Sequence, residues 1–301
     1  MSDQKVDVLK EDFNWEVPHE VVPLPSQGEM YSPDSKLYKL KKLEIKAMTA
    51  KEEDLLTSQA LLKTGRAVSE VLKSCITTKN INIDDLLIGD KNALMTAVRI
   101  TGYGSDYPAS VRCGACSFQN NVDINLTELP IKFLEIEPVT PGQNRFEYTL
   151  PVTKKKIQFK FLTGHDEKER KETLENMQRH FGKDYEPNVT MFLENVILSV
   201  EGIEDKNKIK HFVQHMPAYD SRSLRNYIKD NEPGIDLVHN LKCSNCGAHS
   251  EVAVPVTAKF FWPDSWVERS FLRRSFQSSD APGHESFRGL SSSSALQKVV
   301  H

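Results

Sequence analysis

The sequence predicts an α+β fold: zinc-ribbon-like β knuckles plus helices, with an α/β region inserted between the two knuckles. Three observations lead there. Two C-x-x-C pairs, Cys113/Cys116 and Cys243/Cys246, each sit between strand-like runs. Residues 49–100 and 165–231 carry apolar side chains at helical spacing, with start and stop signals at their ends. Between them, residues 133–162 read as β structure.

The elements follow in chain order. Residues 1–20 are polar and acidic, and read as an arm; they lack the pattern of a secretory signal. Pro23 and Pro25 suit an extended segment, and "SQGE" suits a turn. "KLYKLKKLEIKAM" alternates apolar and basic residues, which predicts a half-buried strand with its lysines in solvent. Thr49 and Glu52 form a T-x-x-E capping box at the head of a first helix. That helix runs through Leu55, Leu56, Leu62, Val68, Val71 and Leu72 to Cys75, which is expected in the core. Gly65 marks a break in it. A second helix is expected over Asp84–Ile100, stopped by Gly102 and Gly104.

A short strand then enters Cys113, and an alternating one with Val122, Ile124 and Leu126 leaves Cys116. "FEYTLPVTKKKIQFKFLT" predicts a hairpin with Lys154–Lys156 solvated near its turn. Four helices are expected next: "HDEKERKETLENMQRHFG", "NVTMFLENVILSVEGI", "KNKIKHFVQHM" and "AYDSRSLRNYIKDNEPG". "IDLVHNLK" and "SEVAVPVTAKFFW" read as strands into Cys243 and out of Cys246. The expected division is an arm over 1–20, an N-terminal lobe with the first knuckle over 21–128, and the inserted region over 129–235. The second knuckle and its closing strand take 236–264. The remaining segment, 265–301, is rich in Ser, Gly and Pro and reads as a flexible tail.

Four thiolates satisfy the tetrahedral preference of zinc, and each C-x-x-C turn delivers two of them with little chain to order. Cys113, Cys116, Cys243 and Cys246 are therefore the candidate ligands of one structural zinc ion. The long separation, residues 117–242, is tolerable because loop-closure entropy grows only logarithmically with length. Arg112 and Lys242 precede the pairs and would offset the negative charge of a tetrathiolate site. A redox C-x-x-C or a disulfide is the rival reading, but a thioredoxin-like motif opens a helix after a strand, and nothing in the sequence marks an oxidising compartment. A metal-free pair of turns is another. His239 and His249 lie near the second pair, yet four cysteines leave no ligand position for them.

The chemistry of common enzymes is missing from the pattern. The sequence has no phosphate-binding P-loop, no G-x-G-x-x-G fingerprint, no G-x-S-x-G elbow and no H-E-x-x-H. The net charge of −3 argues against a general nucleic-acid binder. "KLKK", "KKK" and "RRSF" from Arg273 keep a nucleic-acid-binding zinc-ribbon protein as the alternative function. No apolar run approaches the roughly 20 residues that span a bilayer, so no membrane association is expected.

A set of stretches carries a family resemblance. They are "VPLPSQGEMY", "IKAMTAKEEDLL", "LIGDKNALMTAVRITGYGSDYPASVRCGACS", "FKFLTGHDEKER", "MPAYDSRSLRNYI" and "LKCSNCGAHSEVAVPVTAKFFWPD". In these the chain, from about Val22 to Asp264, resembles baseplate proteins of contractile-tailed bacteriophages of the T-even type, the hub subunits or hub-assembly proteins. The paired C-x-x-C motifs and the PLPS-x-G-x-x-Y opening are the most specific elements. The resemblance implies a non-enzymatic part or helper of the injection machine, whose partners are other baseplate or tail proteins. It implies a place in the virion tail baseplate, with the host cytoplasm as the site of assembly. It also implies that Cys113, Cys116, Cys243 and Cys246 are metal-ligand positions, with the stretch from Arg99 to Tyr107 packed beside the first pair. The Ser-rich extension after Asp264 lies outside the pattern.

Overall fold

The first strand pair is built from residues that alternate across its two faces. β1 (His19–Pro23) and β2 (Lys42–Lys46) run antiparallel, with Val22 opposite Leu43 and His19 opposite Lys46. Leu43 and Ile45 point inward and are buried, while Lys42 and Glu44 face out. The strand expected over Lys36–Met48 is thus shorter than its alternation suggests. Lys39 adopts a left-handed φ of 55° and donates its N–H to Gly28, so residues 37–40 fold as a turn that buries Leu37. Gly28 permits this contact, because a Cβ there would stand 2.3 Å from the Leu40 nitrogen.

The computed structural model describes residues 15–182, 184, 187–256 and 258–261. Most of the expected N-terminal arm and the whole Ser-rich tail lie outside these residues. All described residues belong to one compact unit ending at Phe261.

The first predicted helix forms as three pieces: α1 (Ala50–Thr57), α2 (Gln59–Thr64) and α3 (Ala67–Cys75). Gly65 ends α2 in the left-handed conformation, as a C-terminal glycine does. The capping box at Thr49 turns its Glu52 side chain into the core, where it is fully buried. Glu52 accepts from the Thr49 backbone N–H at 3.0 Å and its hydroxyl at 2.6 Å, and also from Ser74 at 2.6 Å and Lys46 at 2.7 Å. Burial alone would raise the Glu52 carboxyl, but these four donors outweigh it and hold the pKa at about 2. Cys75 is fully buried beside this group, and burial pushes its thiol up to about 11.

The central helix, α4 (Ile88–Tyr103), begins later than the expected Asp84. Residues Ile83–Asp85 instead make a 3-10 turn capped by the Asn82 side chain. Leu94 and Val98 are fully buried along α4. Its first turn is a meeting point. Asp90, fully buried, accepts from the Ser26 N–H at 2.9 Å, the Ser26 hydroxyl at 2.5 Å and the Tyr31 hydroxyl at 2.6 Å. Tyr31 in turn accepts from the Leu87 N–H at 3.0 Å. The P-S-x-G-x-x-Y stretch is therefore a clasp that fastens the N-terminal segment to α4. Gly89 lets a second segment approach, since a Cβ there would lie 1.8 Å from the Pro233 carbonyl oxygen.

Two hairpins follow the C-x-x-C pattern: β3 (Asp106–Arg112) with β4 (Gln119–Asn125), and β10 (Val238–Lys242) with β11 (His249–Ala253). Between them in sequence, β5 (Ile131–Lys132) pairs with β9 (Gly234–Ile235). A three-stranded antiparallel sheet has the order β6 (Phe146–Thr149), β7 (Lys156–Phe159), β8 (Ile197–Val200). Phe146, Phe159 and Phe161 pack edge to face and tilted at its centre. The remaining helices are α5 (Gly164–Phe181), α6 (Asn188–Val196), α7 (Lys206–His215) and α8 (Ala218–Asn231).

Two further expectations are corrected. "NVTMFLENVILSVEGI" is not one helix: it turns into β8 at Ile197, where Ile-Leu-Ser-Val supplies β-branched side chains and β7 offers an unpaired edge. The strand leaving Cys246 ends at Ala253, and the later "AKFF" forms a short helix, α9 (Ala258–Phe261). Phe260 is buried there against Tyr107, edge to face at 5.2 Å.

Candidate metal centre

The two C-x-x-C turns fold alike because each closes an antiparallel hairpin one residue beyond its last strand pair. Arg112 lies opposite Gln119, and Lys242 opposite His249. In the first turn the Cys113 N–H donates to Phe118 at 2.9 Å and the Ser117 N–H donates back to Cys113 at 2.9 Å. In the second, the Cys243 N–H donates to Ala248 at 2.9 Å and the Gly247 N–H to Cys243 at 3.0 Å. The residue after each second cysteine is left-handed: Ser117 at φ 60° and Gly247 at φ 71°. These are two copies of one knuckle.

The turns face each other. All four sulfur atoms lie within 4.8 Å of one another. Cys113 Sγ stands 3.8 Å from Cys246 Sγ, and Cys116 Sγ 3.6 Å from Cys243 Sγ. Four sulfurs about 2.3 Å from one zinc ion in a tetrahedron stand about 3.8 Å apart, so the cavity they enclose fits such an ion. Cys113 and Cys243 are buried, and the second cysteine of each pair lies nearer solvent. The structure thus brings together every cysteine that the sequence singled out, across the intervening residues 117–242. Cys75 is in the core, and His239 and His249 stand outside the cluster.

The thiols perturb one another in opposite directions. The Cys246 backbone N–H, with further donors from the Asn245 backbone and the Asn120 side chain, draws the Cys243 thiol down to about 6 despite its burial. The Phe118 backbone and Asn245 likewise hold Cys116 below the usual thiol range. Cys246 goes the other way. The Ala248 N–H favours its thiolate, but the neighbouring sulfurs of Cys116, Cys243 and Cys113 together with burial push it up to about 12. Some protons leave readily, and the last are retained by repulsion between like charges. A divalent cation at the centre removes that repulsion, which is what this donor set is suited to receive.

Several residues outside the motif build the site. Asn120 is buried under the first knuckle and reaches Ser244 in the second, accepting from its N–H at 2.9 Å and its hydroxyl at 3.0 Å. Tyr107 on β3 donates to the Pro255 carbonyl at 2.6 Å, tying the first hairpin to the segment after the second. Arg99, buried in α4, donates to the Gly104 and Asp106 carbonyls at 2.7 and 3.0 Å and so fixes the entry into β3. Asn120 was legible in principle. It continues the inward alternation of Leu126, Ile124 and Val122 back toward Cys116, and a polar residue in that register needs partners. The carbonyls that accept from Tyr107 and Arg99 in these bonds belong to the backbone, and no residue pattern marks them.

The cysteine knuckles, the Asp90 clasp and the Pro233–Gly89 contact all fall within one matched region. The family model described as T4 bacteriophage base plate protein covers residues 20–262. Comparison with curated proteins and with solved structures gives no match. No helix among the described residues is long and apolar enough to cross a membrane. With the family model spanning most of its length, the chain belongs to the T4 bacteriophage base plate protein family.

Proposed function

We propose that this protein is a structural or assembly subunit of the phage tail baseplate hub, acting by protein–protein contacts and without catalysis. In this reading Cys113, Cys116, Cys243 and Cys246 hold one structural zinc ion. The observation that carries it is the convergence of four sulfurs, at zinc-site spacing, inside a region matched end to end by a baseplate family. Four thiolate ligands close the coordination sphere, which suits a structural ion and leaves no position for a substrate. Bound zinc would supply a cross-link between two segments of chain separated by residues 117–242.

Exposed aromatic side chains support contact-making. Tyr219 on α8 is 66% exposed and Phe118 at the first knuckle is 44% exposed, and aromatic residues of this kind anchor interfaces. The test is mass spectrometry of purified tails and of assembly intermediates from infected cells. Presence in finished tails identifies a virion subunit. Presence only in intermediates identifies an assembly factor. Absence from both contradicts the proposal.

A further inference from the structure

The two knuckles are joined by more than the sulfur cluster. Asn120 belongs to the first hairpin and is 4% exposed. Its side-chain oxygen accepts from both the N–H and the hydroxyl of Ser244, the residue that follows Cys243. Its side-chain nitrogen donates to the Phe118 carbonyl at 3.1 Å within its own knuckle and lies 3.7 Å from Cys243 Sγ across the cluster. One amide therefore uses both its acceptor and its donors to fix one knuckle against the other. Asn245 makes the reciprocal crossing: it belongs to the second knuckle and its nitrogen lies 3.7 Å from Cys116 Sγ. That residue is exposed, and its side chain does not make the contacts to the other knuckle's backbone that the Asn120 side chain makes.

We infer that Asn120 is the positioning residue of the metal centre, holding the two C-x-x-C turns at tetrathiolate spacing and donating a hydrogen bond to the Cys243 sulfur. This rests on the reading of the four cysteines as ligands of one ion. The chemistry is specific to an amide. The acceptor oxygen must meet two donors of Ser244, and the nitrogen must meet a carbonyl and a sulfur, so neither a carboxylate nor an apolar side chain does both. Burial makes the arrangement matter, because a buried amide that loses its partners, or partners that lose it, are cut off from water. An N–H aimed at a metal-bound sulfur spreads the charge of the tetrathiolate, and groups that orient ligands in this way commonly contribute 10- to 100-fold in metal affinity.

The test uses the full-length chain loaded with Co2+ as a spectroscopic probe and with Zn2+ in chelator competition. Wild type is compared with N120A, N120D, N245A and, as a control on the exposed face of the same strand, N121A. N120A is expected to weaken metal binding about 10-fold or more and to shift the thiolate-to-cobalt charge-transfer band. N120D keeps the acceptor for Ser244 but sets a carboxylate against the sulfur, and is expected to bind at least as weakly as N120A. N245A is expected to lose less, and N121A to match wild type in affinity and spectrum. Should N120A fail to fold, N120D still reads the donation to the Cys243 sulfur through the band position. Wild-type affinity and an unshifted band in N120A or N120D overturn the inference while leaving the metal centre standing. Failure of the wild-type chain to bind Co2+ or Zn2+ instead removes the metal centre, and the inference with it.

Discussion

Ser117 and Gly247 occupy the same place in the two knuckles, with φ of 60° and 71°. A left-handed conformation costs a side-chain-bearing residue about 1 kcal/mol. S117G is therefore expected to raise stability by up to about 1 kcal/mol, and G247A to lower it by about as much. Nothing lies within 4 Å of a Cβ built at Gly247, so the cost there is backbone strain alone. Urea denaturation of the metal-loaded variants reads both changes. Glu52 makes a different residue-scale prediction. Its carboxyl is held at about 2 in the folded protein against an ordinary 4.5. The depressed value means that its stabilisation is complete above pH 4.5 and is lost as pH falls toward 2. E52Q leaves Lys46 facing a neutral amide in a buried site and is expected to cost about 3 kcal/mol at neutral pH. It should also flatten the stability profile between pH 4.5 and 2, as followed by denaturant midpoints across that range.

At the scale of elements, the first turn of α4 organises the fold around it. Asp90 fastens the 26–31 segment, and Gly89 admits the backbone at Pro233, close to where β9 begins. G89A drives a methyl group into the Pro233 carbonyl oxygen and is expected to cost about 3 kcal/mol, read by thermal or denaturant unfolding. D90A leaves the Ser26 and Tyr31 donors unpaired in the core and is expected to cost as much. These contacts also show what the sequence could and could not reveal. The capping box at Thr49, the break at Gly65 and the strands flanking each C-x-x-C pair were readable because their signals are local. The Ser26–Asp90 clasp joins residues far apart, and no local pattern states that pairing. β8 was hidden for another reason. "FLENVILSV" satisfies a helical period, and only the waiting edge of β7 makes its second half a strand. The cysteine cluster was legible although its halves are distant, because the donor chemistry of one pair demands a second.

At the scale of the molecule, the four sulfurs bring the segment that enters the first knuckle to the segment that leaves the second, and the proposed zinc ion would link them. Tyr107 and Asn120 add protein contacts across the same junction. Chelation is therefore expected to lower the melting temperature and to loosen both knuckles together, with amide exchange rising in β3, β4, β10 and β11 before it rises in the sheet of β6, β7 and β8. C243S should reproduce the effect of the chelator, since a hydroxyl does not replace a zinc-bound thiolate. The most direct measurement is the metal content of the purified full-length chain by inductively coupled plasma mass spectrometry, with free thiols counted in the native state. The expected result is one zinc ion per chain, its loss in C243S, and Cys113, Cys116, Cys243 and Cys246 shielded from thiol reagents until the metal is removed. A folded wild-type chain without stoichiometric metal, and with Cys116 and Cys246 reacting freely, would contradict it.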